Sequence, residues 1–230
     1  MIKLCHAMVI TPHPDDAEYG IAGTVARWVR EGKEVIYVAC TNGNKGSNEP
    51  SKTSEELAEI REKEQLAAAK LLGVNEVIFL RYEDQTLEDT PEFRKRIVRL
   101  LRMYRPETVA TCDPYRRYIW HRDHRITGQL VLDAIFPYAR DHLAYPDLLE
   151  LGLKPHKVRE VLLWGSEQPN YFCDITDTFD VKMAALRCHR SQIGNPSPEW
   201  ENRIRLRHEA MAQGKGWTLA EAFYRVEISW

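Results

Sequence analysis

The sequence has few of the features that tie a protein to a membrane or to an oxidising compartment. Its five cysteines are an odd number and none forms a CxxC pair, so neither a disulfide framework nor a thiolate zinc cluster is predicted. No apolar run approaches the roughly 18 residues that a bilayer-spanning helix needs. The first residues also lack the apolar stretch and cleavage site of a signal peptide. We therefore expect a cytoplasmic protein without a membrane partner.

An excess of charge of either sign is also missing. The chain has 32 Lys and Arg residues against 34 Asp and Glu residues, and this near balance argues against a nucleic-acid partner. The turn after the first predicted strand lacks the GxGxxG pattern, because Gly20 and Gly23 lie too far along the chain. Dinucleotide binding is therefore not favoured, and no organic cofactor is expected.

The length and the hydrophobic pattern predict one α/β domain over residues 1–230. Apolar runs that read as strands alternate with amphipathic stretches that read as helices. The strands are expected at 7–10, 34–40, 77–80, 108–111 and 158–164, and the helices at 19–31, 55–72, 91–104 and 124–134. This alternation predicts a Rossmann-like, doubly wound, mostly parallel sheet with helices on both faces. Residues 165–230, with helices at 177–192 and 199–212, are expected to pack on that core.

In such a sheet, ligands bind beyond the carboxyl ends of the strands. The loops at three of these ends, residues 11–18, 41–54 and 112–124, hold the most unusual chemistry of the sequence. The loop 41–54 contains Gly43 and Gly46, which could cradle a phosphate, although a flexible lid is the preferred interpretation.

The run His13-Pro14-Asp15-Asp16 directly follows the first strand. Two adjacent carboxylates beside an imidazole repel each other unless a cation or strong donors compensate. A divalent metal would do so; the alternative is a helix-capping aspartate with a histidine beside it by chance.

A second run, His121-Arg122-Asp123-His124, follows the fourth strand. The sheet topology brings both loops to one edge. One carboxylate and two imidazoles suit a catalytic zinc that keeps a position open for water. Such ligands also accept other divalent ions.

The first run, extended to Glu18, resembles the signature of the LmbE-like (PIG-L) deacetylases. The second run resembles that family's other motif, usually HPDH, with Arg122 in place of proline. Softer similarity, including the run His189-Arg190-Ser191-Gln192, extends the resemblance from about residue 7 to residue 192.

The resemblance implies a zinc-dependent hydrolase that deacetylates an N-acetylglucosamine-type amino sugar or glycoside. It implies one zinc per chain, held by His13, Asp16 and His124, with Asp15 as the general base that acts on the zinc water. His121 would either stabilise the oxyanion or act as general acid. The resemblance also implies a homo-oligomer, with a hexamer as one form.

Two arginines are further candidates for substrate binding. Arg61 could orient Asp15 or bind a sugar hydroxyl, and Arg140 resembles a family position near the cleft; the alternative for both is a solvated or helix-paired arginine.

The aromatic residues Tyr115, Tyr118 and Trp120 could stack on a sugar or pack a subunit interface. The remaining histidines are interpreted as packing, surface or capping residues rather than ligands: His6, His142, His156, His189 and His208.

Two other functions compete with the deacetylase. One is metal-dependent phosphoester hydrolysis, which usually needs two metals and more carboxylates than these loops offer. The other is a non-catalytic metal-binding or nucleotide-binding module. Asp15 favours the enzyme, because a purely metal-binding protein has no use for a free carboxylate beside the metal's water.

Overall fold

The sheet at the centre of the molecule is covered on both faces. The computed structural model describes residues 3–47, 49–118 and 120–229. Strands β1 (Ala7–Thr11), β2 (Val35–Thr41) and β4 (Thr108–Cys112) are buried along their whole length. Successive strand side chains point to opposite faces. In β1, Met8 and Ile10 enter the core on one face, and Ala7 and Val9 enter the core on the other.

The other strands are β3 (Glu76–Tyr82), β5 (Glu160–Trp164), β6 (Tyr171–Asp174) and β7 (Ala220–Glu227). Among the described residues the sheet has seven strands in the order β3-β2-β1-β4-β5-β7-β6, and its first five are parallel. β7 pairs antiparallel with both β5 and β6. The predicted doubly wound, mostly parallel sheet with helices around it is therefore confirmed.

Helices connect the strands, and most of the long ones begin at a side-chain cap. They are α1 (Asp16–Gly20), α2 (Ala22–Arg30), α3 (Ser54–Leu72), α4 (Pro91–Tyr104), α5 (Arg122–Asp133), α6 (Pro146–Glu150), α7 (Phe179–Leu186), α8 (Arg190–Ile193) and α9 (Pro198–Ala212). A kinked segment, Ala134–Ala139, continues α5. At the start of α3, the Thr53 hydroxyl accepts the Glu56 N–H, and the Glu56 carboxylate accepts the Thr53 N–H. This reciprocal cap satisfies two N–H groups that the first helical turn leaves without partners.

The sequence prediction differs from the structure in the connections and in the last third of the chain. The predicted helix 19–31 is two helices that meet at Ile21, and the predicted helix 177–192 is α7 and α8 with a break between them. β6 and β7 were not predicted. β6 has only four residues and β7 begins with alternating small and acidic residues, so neither has the continuous apolar run of a buried strand.

Residues 165–229 contribute β6 and β7 to the same sheet. The expectation that residues 165–230 pack on the core as a segment of the same domain stays a prediction, as does the organisation of residues 1–230 as one domain. Asn48 of the loop 41–54 and Ile119 of the loop 112–124 lie outside the described residues, as do residues 1, 2 and 230. Across the residues described here, no helix is both long and apolar enough to cross a bilayer.

β1 and β4 are direct neighbours and run in the same direction. The loops that leave their carboxyl ends therefore emerge side by side. This adjacency brings residues 13–16 and 121–124 together, although about a hundred positions separate them in the sequence.

Candidate metal centre and active site

Three of the predicted ligands converge on one point. His13 Nδ1 lies 2.9 Å from Asp16 Oδ2, and His124 Nε2 lies 3.2 Å from the same oxygen. The ligand atoms of His13, Asp16 and His124 all lie within 4.8 Å of one another. Two imidazole nitrogens and one carboxylate oxygen are a donor set for a catalytic divalent ion, and they leave positions open for water or substrate. The residues present therefore fit the metal that the sequence predicts.

The other ring nitrogen of His13 faces two buried carboxylates. Nε2 lies 3.0 Å from Asp84 Oδ1 and 3.3 Å from Asp123 Oδ2, and both aspartates are less than 5% exposed. A carboxylate on the far nitrogen of a metal-ligating histidine fixes its tautomer and makes it a better ligand. Asp84 and Asp123 therefore hold His13 with Nδ1 directed at the metal position.

Asp84, Asp123 and His121 form a second group together with His13, and its geometry is also compatible with a metal. It shares His13 with the first group, so the two are not independent sites. The described residues thus offer no separate second set of ligands of the kind that a two-metal phosphoesterase uses.

The charges around the ligands act on one another strongly. Although burial opposes it, the carboxylates of Asp123, Asp16 and Asp84 raise the pKa of His13 well above its usual value. Burial likewise opposes ionisation of Asp16, but His124 and His13 hold the pKa of Asp16 well below its usual value. The cluster therefore favours an ionised Asp16 carboxylate between the two imidazoles. A carboxylate in this state is able to bind a cation.

Asp15 lies beside the candidate ligands and is not among the residues that converge on the metal position. Its side chain is 15% exposed, and Oδ1 lies 3.4 Å from Arg61 Nη2. Burial and the neighbouring Asp16 carboxylate raise the pKa of Asp15 to about 7, although Arg61 opposes the change. A carboxyl group that titrates near neutral pH is matched to proton transfer in both directions.

Arg61 is almost completely buried and spans two loops of the site. It donates from Nη1 to the Gly43 carbonyl at 3.0 Å and from Nη2 to the Pro14 carbonyl. A side chain on Gly43 would place its Cβ 2.5 Å from the Arg61 guanidinium. Gly43 therefore makes room for Arg61, which was predicted either to orient Asp15 or to bind a sugar hydroxyl.

His121 lies on the solvent side of the site. Its Nδ1 accepts the Asp123 N–H at 3.1 Å, and its ring meets the ring of His13 edge to face at 4.7 Å. With Nδ1 accepting, the neutral ring carries its proton on Nε2. Burial and the His13 imidazolium lower the pKa of His121.

A cavity of about 270 Å³ opens from the ligands Asp16 and His124. Trp120 and Trp164 line it, and Arg116 and Ser166 separate it from a neighbouring cavity of about 490 Å³. The Trp120 N–H donates to the Asp113 carbonyl, and its ring contacts His124 edge to face at 4.4 Å. Of the three aromatic residues that could stack on a sugar, Trp120 is therefore the one that lies beside the candidate ligands. Tyr115 lines the second cavity, and Tyr118 is 89% exposed.

Arg140 is not part of this arrangement. It lines a separate cavity with Leu4, Glu107 and Arg159, residues that precede β1, β4 and β5. Those positions are the amino ends of the strands, at the edge of the sheet opposite the ligands. The expectation that Arg140 binds substrate finds no support in this position.

Several residues that hold the site together were given no role there from the sequence. Asp84 follows β3 at the same sheet edge, and the rule that pointed to loops 11–18 and 112–124 would also have pointed to it. Gln65 and Glu18 are fully buried beside Asp15. His189, interpreted as a packing residue, lies 3.2 Å from the Glu18 carboxylate.

Comparison with known proteins places the chain in a family. Residues 8–135 match the model of the PIG-L family, described as GlcNAc-PI de-N-acetylase. The diacetylchitobiose deacetylase of Thermococcus kodakarensis is 37% identical over 194 residues, which are 84% of this chain and 72% of that protein. A probable N-acetyl-α-D-glucosaminyl L-malate deacetylase 2 of Bacillus anthracis is 30% identical over 199 residues, which are 84% of each protein.

Solved structures agree with this result. The N,N'-diacetylchitobiose deacetylase of Pyrococcus horikoshii superposes with a TM-score of 0.91 at 35% identity, over 96% of this chain and 84% of that one. The hydratase GalB of Pseudomonas putida superposes with a TM-score of 0.80 at 22% identity, over 99% of this chain and 98% of that one. That likeness concerns the fold alone. The fold and the site define an α/β protein with a candidate His/Asp metal centre. The chain belongs to the PIG-L (LmbE-like) family, and the Thermococcus and Bacillus relatives named above are a deacetylase and a probable deacetylase.

Proposed function

We propose that this protein is a metal-dependent N-deacetylase that hydrolyses the acetamido group of an N-acetylglucosamine-type sugar or glycoside. One observation carries the proposal. Two imidazoles and one carboxylate converge on a point, and a second, partly buried carboxylate, that of Asp15, lies next to them outside this group. A hydrolytic metal site requires a base as well as its ligands, and this arrangement supplies both.

His13, Asp16 and His124 would hold the ion. When bound, a divalent ion polarises a carbonyl and lowers the pKa of water to about 7. Asp15 accepts the proton of the attacking water. It then delivers that proton to the amide nitrogen as the C–N bond breaks, so that the products are acetate and a free amine. This shuttle returns Asp15 to its starting state.

The neighbours of Asp15 and the metal ligands orient the reacting groups. Arg61 lies 3.4 Å from Asp15 Oδ1 and also holds the Pro14 carbonyl, so it fixes the direction of the base. Because Nδ1 of His121 accepts the Asp123 N–H, the proton of the neutral ring is on Nε2. This Nε2–H can donate to the oxygen that gains negative charge when water adds to the acetyl carbonyl. We propose this donor role for His121, with proton delivery to the leaving amine as the alternative.

The cavity beside the ligands is suited to a sugar ring. Residue 20 is glycine, and a Cβ at this position would lie 2.5 Å from the Trp164 ring. The absence of a side chain there lets Trp164 line the cavity. Aromatic faces with nearby polar groups are a common way to bind a small polar ligand. Two of the related proteins named above are a diacetylchitobiose deacetylase and a probable N-acetyl-α-D-glucosaminyl L-malate deacetylase, and this supports the same class of substrate here.

We further propose that the ion is zinc, with one per chain. On the family resemblance we propose a homo-oligomer in the cytoplasm, acting on a small molecule without a nucleic-acid or membrane partner. The donor set is compatible with zinc, and also with other divalent ions.

The proposal is tested by metal analysis combined with an amine-release assay on N-acetylglucosamine, N,N'-diacetylchitobiose and N-acetylglucosaminyl malate. We expect one equivalent of metal per chain, and release of amine from at least one of these compounds that stops on chelation. Full metal occupancy without amine release from any of them would contradict the proposal. Hydrolysis of a phosphoester panel by the same preparation would favour the competing function.

A further inference from the structure

Asp15 has a backbone conformation that aspartate rarely adopts. Its φ is 99° and its ψ is −28°, in the left-handed region that favours glycine. A non-glycine residue keeps such a conformation only where its surroundings hold it, and residues of this kind cluster at functional sites. Something in the structure must therefore hold the backbone of Asp15.

The Asp15 carbonyl accepts the Tyr19 N–H at 3.2 Å, and the Asp15 N–H is held by the side chain of Gln65 from α3. Gln65 Oε1 accepts the Asp15 N–H at 3.1 Å, and its Nε2 donates to Glu18 Oε1 at 2.9 Å. Gln65 and Glu18 are completely buried. The bond to Glu18 fixes which end of the Gln65 amide faces Asp15, because only the oxygen can accept the N–H.

The other oxygen of Glu18 faces His189. His189 Nε2 lies 3.2 Å from Glu18 Oε2, and His189 is also completely buried. A buried carboxylate needs a partner of opposite charge or several donors. Burial lowers the pKa of His189, but the Glu18 carboxylate outweighs this effect and raises it. The His189 ring therefore lies where it can act as the partner that this buried carboxylate needs.

The segment that carries His189 is fastened to α3. The Ser191 N–H and hydroxyl donate to the two oxygens of Glu64, at 2.7 Å and 2.6 Å. His189 lies between α7 and α8, beyond residues 8–135 that match the family model. The last third of the chain thus reaches back to the loop of the metal site.

We propose that His189, Glu18 and Gln65 form a positioning relay that holds the backbone of Asp15 and thereby aims its carboxylate at the reacting water. This inference rests on the proposed function, in which Asp15 is the base. It is distinct from the role of Arg61, which contacts the carboxylate of Asp15 and the carbonyl of Pro14 rather than the Asp15 N–H.

The first test uses the Asp15 amide and does not depend on activity. In the metal-loaded protein we expect hydrogen exchange of this amide to become at least about tenfold faster in Gln65→Leu and in His189→Leu. The Val35 N–H, which donates to the Asn75 side chain at 2.8 Å, is the internal control and should keep its rate. Unchanged exchange of the Asp15 amide in both variants would overturn the relay, whatever the substrate proves to be.

The second test is kinetic. With full metal occupancy, His189→Leu should lower kcat by about 10- to 100-fold with little change in KM, because a misplaced base affects the chemical step. His189→Gln keeps a donor for Glu18 and should recover most of the rate. The matched control is His156→Gln. That histidine is also buried and contacts the Pro106 carbonyl at 2.7 Å, at the far edge of the sheet.

A double variant separates failure of the relay from failure of the proposed function. If His189 acts through Asp15, then adding His189→Leu to Asp15→Asn should cause no further loss of kcat. Independent, multiplying losses would overturn the relay. A parental rate in Asp15→Asn alone would instead contradict the role of Asp15 as base, and the exchange experiment would still decide whether the relay holds its backbone.

Discussion

His208 makes the stability of the protein depend on pH in a way that the structure predicts in sign and size. Its side chain is 4% exposed, and its Nδ1–H donates to the Ala220 carbonyl at 2.8 Å. Burial and the nearby Lys182 ammonium lower its pKa to about 4, although Glu221 opposes the change. The folded protein therefore keeps His208 neutral at pH values where the unfolded chain, with a pKa of about 6.5, binds a proton.

The sign follows from proton linkage. Between pH 6.5 and 4 the unfolded state binds the extra proton, so the free energy of unfolding falls as the pH falls through this window. The difference of about 2.5 pKa units corresponds to about 3 kcal/mol, at about 1.4 kcal/mol per unit. Above pH 6.5 the contribution of the neutral histidine is fully present.

Urea unfolding of the parent protein and of His208→Gln between pH 7.5 and 4.5 measures this effect. Glutamine does not titrate, so the parent should lose about 2 to 3 kcal/mol relative to the variant over this range. Protonation of the metal ligands affects both proteins equally and cancels in the difference. If the two curves of unfolding free energy against pH were parallel, the assignment of a neutral buried His208 would be refuted.

Three further predictions concern buried or ligand residues. Lys182→Met leaves the Glu221 carboxylate buried without its ammonium at 2.6 Å, so urea unfolding should show a loss of about 3 to 5 kcal/mol, whereas Lys182→Met combined with Glu221→Gln should recover much of it. A loss below about 1 kcal/mol in the single variant would argue against the pair. His124→Ala should lose its metal during dialysis against a mild chelator, and one retained equivalent per chain would count against this ligand. Arg61→Lys keeps the charge but not the planar fork that joins the Gly43 and Pro14 carbonyls, so kcat should fall by about tenfold or more at full metal occupancy; a parental kcat would contradict its orienting role.

The parts of the site that could be predicted from the sequence depend on one topological rule. His13 and Asp16 follow β1, and His124 follows β4, so parallel pairing of these strands was enough to bring them together. The fold class was predictable for the same reason, because buried parallel strands are continuous apolar runs. The motifs then indicated which side chains at that edge were ligands.

The rest of the site depends on packing, which leaves no periodic signal in the sequence. Asp84 follows β3 at the same sheet edge, so the rule includes its loop, but no motif in the run Tyr82-Glu83-Asp84 indicates that Asp84 lies 3.0 Å from His13. Gln65 is one polar residue on a long helix with many. His189 follows α7, and the packing of α7 on α2 and α3, with the bonds from Ser191 to Glu64, brings that part of the chain to the site.

The activity of a metal-loaded Asp15→Asn variant is the most direct test of Asp15 as the base. We predict that this variant keeps one equivalent of metal per chain, because Asp15 is not one of the proposed ligands, and that its rate of deacetylation falls by about 10²- to 10⁴-fold. Release of amine from an N-acetylglucosamine-type substrate at the parental rate would contradict the central claim that Asp15 is the base beside a metal held by His13, Asp16 and His124.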